Sequence, residues 1–224
     1  MNPNAKQPFK IITMDGAAAT GKSTTANAIA KELGFLHVDT GSHFRILCHH
    51  LIQKKITPKD PNSYLETILR SLPIGTEIIE GSAILKIGQE LLQTKALRTE
   101  EINNSVSKFA SMEPIRNFLL DYQHSLKTYT QDAGFPGMVI EGRDIGSVVF
   151  PDAYLKIFLH ADEKTRIARR KNEGQIDPIS KRDDLDSTRK IAPLTCPQDA
   201  LKLNTSLLSL DQVINSILKH IESA

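Results

Sequence analysis

Residues Lys10 to Thr24 read KIITMDGAAATGKST, and most of the architecture can be built outward from them. KIITM is a short run rich in β-branched residues, bounded by Asp15-Gly16, which predicts a strand followed by a turn. GAAATGKST, Gly16 to Thr24, then matches the spacing G-x-x-x-x-G-K-[ST], and helical composition follows from Ser23 to Leu33. The motif sits where its chemistry requires, after a strand and before a helix. There, backbone N–H groups and the positive end of the helix dipole point at phosphate oxygens, and Gly21 lets the chain come close. Lys22 is placed to reach the β/γ-phosphates of a nucleoside triphosphate, and the Ser23 hydroxyl to hold Mg²⁺. A chance turn of small residues would have no reason to fall between a strand and a helix. The sequence contains no Asn-Lys-x-Asp guanine reader, which argues against a GTPase.

Further apolar bursts lie outward from the loop. FLHVDT (35–40), MVIE (138–141), LKIFL (155–159) and LKLNT (201–205) are predicted strands. MVIE and LKIFL, bounded by glycine, proline and aspartate, read as strands buried on both faces of a parallel sheet. Helical stretches separate them. Glu163 to Asn172 has helical composition, and Glu100 to Tyr129 reads as two helices, the second with Pro114 in its first turn. In SLDQVINSILKHI, Leu210, Val213, Ile214, Ile217, Leu218 and Ile221 form an apolar stripe, with Ser209 and Gln212 spaced as a capping box. Strands alternating with helices predict an α/β fold, a doubly wound parallel sheet flanked by helices. TEIIEG and SAILKIG break the alternation; they are close enough to pair as a hairpin around Glu80-Gly81-Ser82, within a small inserted subdomain.

Composition narrows the function. The 224 residues carry 28 Lys plus Arg against 26 Asp plus Glu, a net charge of +2. That balance is too even for a protein that coats nucleic acid or an anionic membrane, so bound phosphate must be gripped locally. Cys48 and Cys196 belong to no CxxC or Cys/His cluster, which predicts reduced thiols rather than a disulfide framework or a zinc site. The N-terminal MNPNAKQPFK has no signal-peptide pattern, and nowhere do 18 apolar residues run together. A cytoplasmic protein with no membrane or nucleic-acid partner is expected.

Three segments pair arginine with an acid or a hydroxyl: DTGSHFR with Arg45, EGRDIG with Arg143 and Asp144, and RDDLDSTR with Arg182, Asp186 and Arg189. Singly, each has a plain explanation as a helix-surface residue, a cap or a solvated charge run. Beside a phosphate loop they point to a second phosphate-bearing substrate, because planar guanidinium groups grip phosphate bidentately. Phosphoryl transfer suits the combination, since its catalysis is mostly positioning and charge neutralisation.

These segments resemble the bacterial cytidylate kinase family of nucleoside monophosphate kinases. The resemblance rests on the phosphate loop, DTGSHFR, LRTEEINNSVSKFAS followed by Arg116, EGRDIGSVVFPDAYLKIFL, and RDDLDSTRKIAPLTCPQDALKLNTS. They occur in family order from about residue 10 to residue 218. The chain departs from the family at Ala17 to Ala19, where members carry proline or further glycine, and in a shorter run before RDDLDSTR. What the resemblance implies is a P-loop NTPase-type core over 10–60 and 130–224, with a short lid at about 171–190. It further implies a monophosphate-binding region over 61–129 containing the insert; residues 1–9 read as a flexible tail. The implied activity is transfer from ATP, with Mg²⁺, to CMP or dCMP, by a monomer. Gly16, Ala17, Ala18, Ala19, Thr20, Gly21, Lys22, Ser23 and Thr24 would bind ATP. Asp39, Thr40 and Arg45 would line the monophosphate site, Arg45 and Arg143 contacting the acceptor phosphate. Ser107, Arg116 and Asp144 would surround the cytosine. Arg182, Asp186 and Arg189 would come from the lid, and Lys22, Arg143, Arg182 and Arg189 would be catalytic. Cytosine chemistry agrees independently: its N4 amine suits a carboxylate such as Asp144, and its O2 and N3 acceptors suit Arg116 and Ser107.

Overall fold

The computed structural model describes residues 8–92, 96–172 and 179–223, the side chains of 179–182 excepted. Its strands are β1 (Lys10–Gly16), β2 (Leu36–Asp39), β3 (Ile74–Ile79), β4 (Ser82–Ile87), β5 (Gly137–Gly142), β6 (Leu155–His160) and β7 (Leu201–Asn204). The helices are α1 (Lys22–Leu33), α2 (Thr40–Gln53), α3 (Asn62–Arg70), α4 (Glu100–Phe109), α5 (Glu113–Asp132), α6 (Glu163–Asn172), α7 (Ile179–Thr188) and α8 (Leu210–Glu222). Seven strands form one sheet in the order β3-β4-β2-β5-β1-β6-β7. Every neighbouring pair is parallel except the β3–β4 hairpin.

β1 lies between β5 and β6, so its side chains are buried on both faces, and that is why KIITM is continuously apolar rather than alternating. The period of two then divides the strands between two cores. Ile11, Met138 and Ile140 pack with side chains of α2 to α5, while Ile12, Met14, Val139 and Leu159 pack against Ala26 and Ile29 of α1 and Val213 and Ile217 of α8. The expected capping box opens α8, Ser209 accepting from the Gln212 N–H and the Gln212 side chain from the Ser209 N–H.

Two features differ from the sequence-derived picture in ways that bear on function. β2 stops at Asp39, one residue early, because the Asp39 side chain accepts the Ser42 N–H and starts α2. The hairpin also adds to the main sheet: β4 pairs with β2 through His37–Ser82 and Val38–Ala83. RDDLDSTR lies on α7, with Arg189 just beyond its end.

Candidate active site

The candidate site gathers at the C-terminal ends of β1, β2 and β5, where a doubly wound sheet opens a crevice. The loop after β1 is forced into shape by close packing. A Cβ on Gly16 would stand 2.1 Å from the Leu159 carbonyl oxygen of β6, so no other residue fits. Ala19 and Gly21 take φ of 58° and 92°, turning the chain into α1. Lys22 Nζ donates to the Ala17 carbonyl at 2.7 Å and Thr20 Oγ1 to the same oxygen at 3.0 Å, so the loop wraps its own lysine.

Ser23 Oγ donates to Glu141 Oε2 at 2.9 Å, joining the start of α1 to the end of β5. The other Glu141 oxygen meets His37 Nε2 at 3.2 Å, and Thr40 Oγ1 donates to the Glu141 carbonyl at 2.7 Å. Burial pushes the Glu141 carboxyl above its usual range, and the negative charge of Asp39 pushes it the same way. Burial also works against ionisation of Asp39, but the hydrogen bonds from the Ser42 hydroxyl at 2.5 Å and the Ser42 N–H hold it below the usual carboxylate range. Two buried carboxylates therefore face each other beside the loop lysine.

Asp15, 1% exposed, is the next-to-last residue of β1. Its carboxylate accepts the Ile145 and Gly146 N–H groups at 2.8 and 2.7 Å and so fixes the turn that follows Arg143-Asp144. Burial raises its pKa to about 6 despite those two donors.

The acceptor half of the crevice is a lattice of arginines and carboxylates. Asp144, 4% exposed, takes Arg116 on one oxygen and Arg189 on the other, the latter at 3.0 Å. Asp186, 5% exposed, accepts Arg143 Nε at 3.0 Å and stands 3.9 Å from Arg189 NH1. Arg116 also donates to the Ala110 carbonyl and lies over the Phe44 ring. Arg45 is held by the Leu97 carbonyl at 2.8 Å and Asn103 Oδ1 at 2.7 Å, and Ser107 lines the same wall. Such pairing is what allows several charged side chains to be buried together.

The crevice thus brings together Ala18, Ala19, Lys22, Ser23, Asp39, Thr40, Arg45, Ser107, Arg143, Asp144, Asp186 and Arg189 of the sequence-derived set. Arg116 reaches it through Asp144. The Arg182 side chain lies outside the described residues. Two residues in the site, Glu141 and Asp15, were not singled out from sequence. Glu141 stands inside EGRDIG, and an acid closing an otherwise apolar strand was its signal. Asp15 likewise follows KIITM. Asp183 accepts the Ala18 N–H at 3.0 Å and pairs with Arg166 of α6, bringing the start of the phosphate loop, α6 and α7 together. His43 is buried with its ring edge on Tyr122; burial pushes its pKa down to about 4, the neutral state of a core neighbour.

With this geometry established, known proteins add one decisive observation. The cytidylate kinase family profile matches residues 12–223. The chain belongs to the cytidylate kinase family. A curated cytidylate kinase of Chloroherpeton thalassium is 37% identical over 223 residues, covering 92% of this chain and 91% of that protein. Those of Streptomyces avermitilis and Protochlamydia amoebophila are each 35% identical, covering 96% and 94% of this chain and 94% and 95% of theirs. Membership of the cytidylate kinase family accounts for a phosphate loop and an arginine lattice lining one crevice.

Proposed function

We propose that this enzyme transfers the γ-phosphoryl group of ATP to CMP or dCMP, giving ADP and CDP or dCDP. The observation that carries the reading is Asp144, a buried carboxylate between Arg116 and Arg189 in the crevice that the phosphate loop also lines. Gly16 to Thr24 bind the donor phosphates through backbone N–H groups and Lys22. A groove beside the loop, lined by Thr24, Thr25, Arg169, Thr205 and Leu208, fits the donor base. Asp39, Thr40, Arg45 and Arg143 hold the acceptor phosphate. Ser107, Arg116 and Asp144 read cytosine, and Asp186 takes the ribose hydroxyls. The stretch 61–129 frames this acceptor side, and 171–190 acts as its lid.

The acceptor phosphate oxygen attacks the γ-phosphorus as its bond to the β–γ bridging oxygen breaks, and ADP leaves. Charge spreads over the transferred group, where Lys22, Arg143, Arg182 and Arg189 neutralise it. Lid closure over the crevice keeps water from competing as acceptor.

Mg²⁺, bound with ATP, would supply positive charge against the charge developing on the donor phosphates, and Ser23 and Glu141 would be the residues nearest to hold it. The residues fit it. Ser23 and Glu141 offer hard oxygens at the start of α1, and the mutual repulsion of buried Glu141 and Asp39 is a charge that a dication relieves. Among the described residues no cluster of His, Cys, Asp and Glu is arranged to hold a metal alone. That accords with an ion that takes most of its ligands from phosphate and water.

Free nucleotides are the only partners in this reading, and the protein works as a cytoplasmic monomer. The near-even net charge of +2 fits a protein that does not coat nucleic acid or an anionic surface; among the described residues no helix is long and apolar enough to cross a membrane. Asp144→Asn tests the base reading. An amide can donate to the O4 of uracil where a carboxylate cannot, so the ratio of CMP to UMP turnover should fall about 5- to 150-fold, the worth of roughly 1–3 kcal/mol of base discrimination. An unchanged ratio, whatever the overall rate, would remove Asp144 from the base site.

A further inference from the structure

We infer that His37 is a positioning residue for the Ser23–Glu141 pair, and that Ser82 of the β3–β4 hairpin holds His37 for that task. The inference rests on the Mg²⁺–ATP reading above. His37 lies on β2 opposite Val139 of β5 on one side and Ser82 of β4 on the other. Glu141 is two residues beyond Val139, so the pleat directs the side chains of Ser82, His37 and Glu141 to one face of the sheet, the face covered by α1.

The contacts form a chain. Ser82 Oγ lies 3.1 Å from His37 Nδ1, His37 Nε2 lies 3.2 Å from Glu141 Oε1, and Ser23 Oγ donates to Glu141 Oε2 at 2.9 Å. Both ring nitrogens are satisfied when Nε2–H donates to the carboxylate and Nδ1 accepts the Ser82 hydroxyl. Both Glu141 oxygens are then held, which fixes the plane of the carboxylate and its aim at Ser23. Without His37, the Oε1 side of the Glu141 carboxylate loses its hydrogen bond, and the Ser23 contact remains on the other oxygen.

The hairpin explains why this support is rigid. β4 meets β2 in only two residue pairs, one of them His37–Ser82, and the Gly81 carbonyl accepts the His37 N–H at 2.9 Å. The place where the hairpin joins the sheet is therefore the place where the carboxylate is braced. A histidine that merely filled the core would satisfy its nitrogens without bridging a hydroxyl of one strand to the acid of another beside the phosphate loop. Outer groups that orient a ligand typically change metal affinity 10- to 100-fold when removed.

The test is calorimetric ATP binding by the full chain, with no acceptor, in Mg²⁺ and again in EDTA. His37→Leu should reduce the enhancement of ATP affinity by Mg²⁺ about 10- to 100-fold while leaving the affinity in EDTA within about twofold. His37→Gln, whose amide can still donate to Glu141, should recover most of the enhancement. Ser82→Ala should give a smaller loss, of a few-fold, and carries the test if His37→Leu does not fold. Glu141→Gln separates the two levels of the argument. If it keeps the full enhancement, the metal reading fails and the inference fails with it. If Glu141→Gln removes the enhancement but His37→Leu and Ser82→Ala keep it, the inference alone is overturned. Equal losses in Mg²⁺ and EDTA would also overturn it, since they would mean a purely structural histidine.

Discussion

Replacing Arg189 with alanine should slow phosphoryl transfer far more than it weakens the fold. Arg189 donates to Asp144 at 3.0 Å, stands 3.9 Å from Asp186 and donates through Nε to the Ala192 carbonyl. Both carboxylates keep a second arginine when it is gone: Asp144 retains Arg116, and Asp186 retains Arg143 at 3.0 Å. Burial, helped by the like charge of Arg116, holds the Arg189 guanidinium below its usual range, so its removal also relieves a cost. The loss of stability is therefore confined to about 1–3 kcal/mol, the worth of charge-assisted hydrogen bonds whose acceptors stay satisfied. An arginine acting on the transferring phosphoryl group contributes about 10³- to 10⁵-fold in rate, or roughly 4–7 kcal/mol. ADP release at saturating ATP and CMP, urea denaturation and calorimetric ATP binding measure the three quantities separately. The expected pattern is turnover lowered at least about 10³-fold, a modest shift in the urea midpoint and nearly unchanged ATP affinity. Turnover within tenfold of the parent enzyme would refute the reasoning, and so would an equal fall in ATP affinity.

Three shorter predictions follow from single contacts. The Asp15 pKa of about 6, against 3.8 in an unfolded chain, means that the native state holds the proton more tightly. The resulting stability is fully present below pH 3.8 and is lost as pH rises through about 6. Urea denaturation between pH 4 and pH 7 should therefore show the parent losing about 2 kcal/mol relative to Asp15→Asn, and parallel curves would contradict this. Gly16→Ala places a Cβ 2.1 Å from the Leu159 carbonyl oxygen, so β1 and β6 must separate, costing about 3 kcal/mol or more in thermal or chemical unfolding. Asp183 occupies the Ala18 N–H, a donor that a triphosphate oxygen also seeks. Asp183→Ala, which leaves no acceptor at that amide, should tighten ATP binding in calorimetry about three- to tenfold, and weaker binding would count against competition there.

Legibility varied with how local the cause was. KIITM and MVIE were readable as strands because a strand buried on both faces needs no partner information to look apolar. α8 carries its own cap and stripe. α7 could not be read as a helix: its residues show no apolar periodicity, and it packs through Asp183 and Asp186 onto groups far away in sequence. α2 starts at Thr40, directly after the last residue of β2, leaving no loop to mark the change. In the site, spacing identified the phosphate loop and the arginine-bearing segments. It could not pair Arg116 with Asp144 or Arg45 with Asn103, because those partners meet only after the sheet forms. Glu141 and His37 were hidden for the same reason. Within a strand they read as an end residue and a core residue, and only the β2–β5 register brings them together.

The most direct test of the account is ADP formation under MgATP with CMP, dCMP, UMP, AMP and GMP supplied in turn. Rapid turnover of CMP or dCMP, well above UMP and the purine monophosphates, is the predicted result. A preference for AMP or GMP with no turnover of the cytidine nucleotides would contradict it, and so would slow ATP hydrolysis indifferent to every acceptor.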